Sequence, residues 1–317
     1  MKIGYFADGP WAHKAFEMLE QDPRVDIQFV CGRHDTFDSV LCDLAKRNDI
    51  PWLQHPDINA DEFHDMICGY DCDLFVSMSF NQIFRERTFN LPPRRTINCH
   101  ASKLPFYRGR NILNWVLIND EKEFGITVHY IAEGVDTGDI ICQRTYPITD
   151  ADDYGTLLKR AHLHCAEVLA EAISLIIDDA VEPIDQTTLH PVGSYCTQRG
   201  WGDEEIDWTS SSRDVFNFVR AICRPGPMAR TWRGDDEVSI NRVELIDGAP
   251  NYRCVCGAVL CTDSVGVLVK TGDSFVRMTD YEVPGQRLRV GDRLGQRVAA
   301  DGGRSPGGAK GLDESKG

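Results

Sequence analysis

The sequence predicts an α/β protein: a doubly wound, mostly parallel sheet followed by a smaller β domain. Three observations predict this. Across residues 1–183, short apolar runs of strand length alternate with segments of helical spacing. After Pro183 the chain turns polar over 184–212. Beyond residue 212, short strand-like runs are punctuated by Gly and Asp, the pattern of a small open barrel. Of the 317 residues, 42% are hydrophobic and 26% charged, a balance that suits folded domains rather than a disordered chain.

The elements follow in order. Residues 2–7 read as a buried strand, Asp8-Gly9-Pro10 as a turn, and Trp11, Ala15, Met18 and Leu19 as one face of a helix. A second strand spans 26–31 and stops at Gly32. Helices are expected at 39–47 and 61–68, with a short strand at 51–53 between them. Strands at 73–78 and 95–99 follow, then a helix at 111–118. Residues 124–131 and 138–145 read as a hairpin. The long helix over 152–177 shows an apolar stripe through Leu157, Ala161, Cys165, Val168, Ala172 and Ile176. Residues 184–212 read as a connector, 214–223 as a helix stopped by Arg224-Pro225-Gly226-Pro227. Short strands are expected at 229–232, 238–246, 258–260, 266–270 and 274–281. The expected division is a domain over 1–183, a linker over 184–212, a β domain over 213–300 and a disordered tail over 301–317.

Charge and motifs narrow the function classes. The net charge of -15 disfavours a long polyanion as partner and suits a small anionic substrate held by a few cations. Lys103, Arg108 and Arg110 are the candidates for a local basic patch. No apolar run reaches the length of a membrane span, and the start reads as a strand rather than a signal peptide, so a cytoplasmic location is expected. Many of the 12 cysteines sit in apolar runs (Cys31, Cys99, Cys142, Cys165 and Cys223) and read as reduced core thiols. Cys254, Cys256 and Cys261 lack a second ligand pair, and no metal is expected. Neither a dinucleotide fingerprint nor a phosphate loop occurs.

One stretch carries chemistry. Asn98 and His100 are two apart at the end of an expected strand, on one face. Asp136 follows in a second Gly-rich bend, Glu133-Gly-Val-Asp136-Thr-Gly138. An amide can hold a carbonyl, an imidazole can relay a proton, and a carboxylate can orient that imidazole. Such a trio suits acyl transfer without metal or enzyme nucleophile. Taken alone, an Asn-x-His on a strand such as Asn98-x-His100 is more often a hydrogen-bonded structural pair than a catalytic one, and Asp136 is readable as a turn residue.

In combination with their neighbours, these residues resemble the folate-dependent formyltransferases. The resemblance rests on Asn98-x-His100, Ser102-x-Leu104-Pro105, Tyr107-Arg108-Gly109, Trp115 and Val135-Asp136-Thr137-Gly138-Asp139-Ile140. Lys103 departs from it, standing where a leucine is usual. The resemblance implies the formyltransferase fold with an OB-like C-terminal extension, and 10-formyltetrahydrofolate as donor to an amine. It implies catalytic roles for Asn98, His100 and Asp136. It implies folate contacts from Ser79, Phe80, Ser102, Leu104, Pro105, Arg110, Ala132, Glu133, Gly134 and Val135. It also implies a homodimer.

Arg110-Asn111-x-Leu-Asn114-Trp115 resembles the sugar N-formyltransferases, whereas the tRNA enzymes usually read Ala-Ala-Pro-Ile-Gln there. With the acidic charge, this points to a nucleotide-linked aminodeoxysugar destined for a surface glycan such as the O-antigen of lipopolysaccharide. Trp11, Tyr107, Arg108, Tyr195 and Trp201 are the candidates for sugar or base contacts. No nucleic-acid or membrane partner is expected. The rivals are a methionyl-tRNA formyltransferase and a non-catalytic ligand-binding relative.

Overall fold

A computed structural model describes residues 1–296 of the chain. The expected tail over 301–317, and the last residues of the expected β domain, lie outside the described residues.

The N-terminal part runs β1 (Lys2–Ala7), α1 (Pro10–Glu20), β2 (Asp26–Cys31), α2 (Ser39–Arg47), β3 (Trp52–Leu53), α3 (Asp61–Cys68) and β4 (Leu74–Met78). It continues with α4 (Glu86–Phe89), β5 (Thr96–His100), β6 (Arg108–Gly109), α5 (Ile112–Ile118), β7 (Glu123–Tyr130), β8 (Ile140–Pro147) and α6 (Tyr154–Ile177). Seven strands form one sheet in the order β3-β2-β1-β4-β5-β7-β8. The first five are parallel, and β7 and β8 add an antiparallel edge.

The inner strands are apolar on both faces because helices cover both. Tyr5, Val30 and Val76 pack toward α1 and α6. Their neighbours Phe6, Phe29 and Phe75 join Phe63 and Phe84 in a phenylalanine-rich cluster on the other side. That is the two-faced burial of a doubly wound sheet. A capping box at Asp153 and Thr156 starts α6 where the expected helix begins.

The segment expected as a connector is built into the fold. It carries α7 (Gln186–Leu189) and β9 (Tyr195–Cys196), and β9 pairs with β6. Next come α8 (Ser212–Ile222), β10 (Ala229–Arg233), β11 (Asp236–Glu244), β12 (Val259–Thr262), β13 (Val267–Lys270) and β14 (Phe275–Glu282). Their strands form an antiparallel sheet, β10-β11-β14-β13-β12. Arg293 bridges to Ala258 beside β12 and Gly295 to Trp232 on β10, so one stretch spans both edges of the sheet. Asn114 of α5 donates to Ala221 O at 2.6 Å, and Arg220 donates to Thr149 O at 2.8 Å. These bonds tie α8 to the N-terminal sheet domain.

Candidate active site

Strand order reverses between β1 and β4, where β2 and β5 flank the pair. Ligands of open α/β sheets bind in the crevice beyond such strand ends. Here a cavity of 590 Å³ opens at that point. Its walls come from Trp11 after β1, Arg33 after β2, the 77–84 turn after β4 and the end of β5. The 131–136 loop and Arg110–Asn114 close the other side.

Asn98 and His100 lie on β5, and the sheet register sets His129 of β7 directly beside Asn98. The 131–139 loop folds back from β7, so that Asp136 meets both imidazoles. Its Oδ2 is 3.6 Å from His100 Nε2, and its Oδ1 is 3.6 Å from His129 Nε2. Gly109 N donates to Asp136 Oδ2 at 2.9 Å. The fold-back needs two glycines. A Cβ on Gly138 would stand 1.9 Å from Tyr130 O, and one on Gly109, at φ +103°, 2.2 Å from Cys196 O.

Burial alone would raise the Asp136 carboxyl. The charge of His100 and the Gly109 N–H, with the His129 ring alongside, outweigh it, and hold the group well below the usual carboxylate range. Asp136 is therefore an anion throughout the working pH range. His100 donates Nε2–H to Tyr107 O at 3.1 Å, with the Asp136 carboxylate alongside. Nδ1 is then the ring nitrogen left free to take up or give a proton. His129 Nδ1 donates to Tyr130 O at 2.8 Å, which leaves Nε2 to accept from Asn98 Nδ2 at 3.3 Å. The Asn98 amide is thereby oriented, with its second N–H free to donate. This arrangement supplies a hydrogen-bond donor for a developing oxyanion next to a proton carrier backed by a carboxylate.

The remaining wall suits a flat heterocycle with polar edges. Phe80, Ile83, Phe84 and Ile131 give it apolar surface. Asn81 Oδ1 and Arg33 Nε are buried at this wall with no hydrogen-bond partner within the protein, and so offer an acceptor and a donor there.

Of the expected residues, Asn98, His100, Asp136, Ser79, Phe80, Arg110, Ala132, Glu133, Gly134, Val135 and Trp11 line the cavity. Others do not. Ser102, Leu104 and Pro105 are buried behind it, where Thr127 Oγ1 donates to Ser102 O at 2.7 Å and Gln143 Nε2 to Leu104 O at 2.9 Å. Arg108 is buried and spends its guanidinium on Gln186, Val192 O and Tyr195 Oη, and neither Arg108 nor Tyr195 lines the cavity. Tyr107 hydrogen-bonds through its hydroxyl to Glu121 and Asn119, on the far side of its own carbonyl's contact with His100. Trp201 is 77% exposed and stands apart from the cavity. The expected basic patch does not form either. Lys103 is paired with Glu123 at 2.6 Å and Arg108 is inside, which leaves Arg110.

Sequence reading missed His129, Arg33, Asn81 and Gln198. His129 alone had a readable signal, as an imidazole in the mostly apolar strand run Ile126–Ile131. The others come from turns and from the connector, whose approach depends on the fold.

The Formyl transferase family matches residues 5–173, and the family's C-terminal domain matches 202–292. A methionyl-tRNA formyltransferase of Acetivibrio thermocellus is 31% identical over 93% of this chain and 100% of its own. One from Staphylococcus aureus strain MW2 is 30% identical over 77% of each chain. Among solved structures, the sugar 3N-formyl transferase WlaRD, in the presence of dTDP and 5-N-formyl-THF, superposes with a TM-score of 0.67 at 21% identity, covering 90% of this chain and 99% of its own. An N-formyltransferase from Helicobacter canadensis, in complex with folinic acid and dTDP-3-aminofucose, gives 0.68 at 19% identity, covering 89% and 100%.

Proposed function

The chain belongs to the formyl transferase family, and from that premise we propose that it moves a formyl group from 10-formyltetrahydrofolate to the amine of a nucleotide-linked aminodeoxysugar. The bound donor supplies the formyl carbon that the amine attacks. Asn98 donates its free N–H to the formyl oxygen as negative charge develops there, a contact worth about 3 kcal/mol in sites of this kind. His100 exchanges the proton on Nδ1 between the incoming amine and the departing folate nitrogen. Asp136 holds the imidazolium while it lasts, and His129 keeps the Asn98 amide aimed. The apolar wall at Phe80–Phe84 suits the pterin ring, with Asn81 and the 132–136 backbone as its polar partners.

One observation carries the choice of acceptor. The C-terminal module has fifteen acidic against twelve basic residues over 202–296, and its arginines are largely paired off. Arg213 faces Asp150, Arg224 faces Glu282, Arg233 faces Asp236, and Arg277 faces Asp263. A protein that embraces tRNA needs unpaired cations to neutralise phosphates. A nucleotide diphosphate needs few, and Arg110, with no carboxylate partner among the described residues, stands at the cavity wall beside Arg33, which faces Asp8 at 3.6 Å. WlaRD was crystallised in the presence of dTDP and the Helicobacter canadensis enzyme with dTDP-3-aminofucose, which supports the same reading.

The specific rival is formylation of methionyl-tRNA, favoured by the names of the relatives at 30–31% identity. The test is direct. The protein is incubated with 10-formyltetrahydrofolate and either a panel of dTDP- and UDP-linked aminosugars or charged initiator tRNA. Mass spectrometry then reads the gain of one formyl group. Formylation of the tRNA and of no sugar would overturn the proposal.

A further inference from the structure

The loop that carries Asp136 is constrained, with Asp136 at a left-handed φ of +52° that Asp tolerates better than most residues with a side chain. The constraint comes from the segment that follows α6. Ile184 exchanges both backbone hydrogen bonds with Ile140, each 2.9 Å, at the start of β8. Ten residues on, Ser194 Oγ accepts from Tyr107 N at 2.8 Å, and Ser194 O accepts from Arg108 N at 2.9 Å. The strap thus grips the Asp136 loop at one end and the turn that faces His100 at the other.

Gln186 lies at its centre and is 1% exposed. Its Nε2 donates to Asp136 O at 2.8 Å and to Gly138 O at 2.7 Å. Its Oε1 accepts from Arg108 Nε at 3.2 Å and from the guanidinium NH2 nitrogen at 2.7 Å. Every hydrogen-bonding position of the amide is in use. Arg108, 5% exposed, completes its set with Val192 O and Tyr195 Oη, all neutral acceptors. Burying a guanidinium without a carboxylate partner is a poor way to gain stability. It makes sense as a rigid post against which one amide can fix two carbonyls.

We propose that Gln186, anchored by Arg108, is a positioning residue that holds the Asp136 loop in the conformation that keeps the carboxylate against His100. It acts through Asp136 and touches no reactant. This inference rests on the formyl-transfer reading of the Asn98–His100–Asp136 site but not on the identity of the acceptor.

The test uses Gln186→Glu. A glutamate still accepts from Arg108, with its charge matched there, but loses both donors and sets an oxygen against the two carbonyls. The readout is the NMR titration of the His100 imidazole in the free protein, which needs neither donor nor acceptor. Its failure is therefore distinct from failure of the acceptor assignment. We expect the His100 pKa to fall by about half a unit or more, because the carboxylate that favours the charged ring has moved off. Asp136→Asn should produce the same direction of change. The double variant should show no further fall, since both substitutions break one link. A His100 titration unchanged or raised in Gln186→Glu would overturn the proposal, as would additive falls in the double variant. Should Gln186→Glu fail to fold, Gln186→Met, neutral and of similar length, carries the same titration and the same outcomes.

Discussion

Replacing Asp136 by Asn tests the centre of the site. The side chain keeps its shape and can still accept from Gly109 N, but the charge is gone. His100 Nε2 and Asp136 Oδ2 are 3.6 Å apart, with side chains only 12% and 14% exposed. At an effective dielectric of about 20, opposite charges about 4 Å apart interact by about 4 kcal/mol, which bounds the loss from above. Measured shifts from one such neighbour are about 1–3 pKa units, so the cost in stabilising the charged imidazole is about 1.4–4 kcal/mol. That converts to a fall in kcat of about 10- to 1000-fold, with donor KM nearly unchanged, because the carboxylate supports the proton carrier rather than the bound donor. The assay is steady-state formyl transfer at saturating donor, with a thermal melt to show that the variant is folded. A folded variant with kcat within about threefold of the parent would refute the role of Asp136.

Three further outcomes follow from the same geometry. Because the Asp136 carboxyl is held below its ordinary range by His100, His129 and Gly109, its contribution to stability is complete above the unfolded pKa of about 4 and is lost only as pH falls through the depressed folded value. The Tm gap between the parent and Asp136→Asn should therefore stay constant from neutral pH down to about 4 and close below it; a gap that closes between pH 7 and 5 would contradict this. Gly138→Ala forces a Cβ to 1.9 Å from Tyr130 O, so calorimetry should show a loss of a few kcal/mol together with lost turnover. Burial pushes the Cys142 thiol to about 11 and the Cys72 thiol to about 12, whereas Cys68 and Cys254 are exposed. A thiol reagent at pH 7.5 should mark Cys68 and Cys254 first, as peptide mapping would show, and early labelling of Cys72 or Cys142 would count against the packed core.

The parts of the molecule legible in the chain are those governed by local periodicity. The strand at 26–31 and the helices at 39–47 and 61–68 have the expected ends, because apolar spacing and caps act within a few residues. Asn98, His100 and Asp136 were readable as chemistry because their residue types and turn neighbours stand close together in sequence. The short elements at 86–89, 108–109, 186–189 and 195–196 were not, since each is too brief to show a period and is held by distant partners.

The sequence by itself determined the sheet-and-helix order, the acidic charge and the amide–imidazole–carboxylate trio. Each depends on residue type and spacing along the chain. Only the tertiary structure decided which polar groups face the cavity. It turned Arg108, Tyr195 and Ser102 away and brought His129, Arg33 and Gln198 in. It also turned a polar connector into the strap that holds Asp136, through Gln186, buried 50 residues further along the chain. A side chain's direction and its hydrogen-bond partners are set by what packs against it, and those neighbours are remote in sequence.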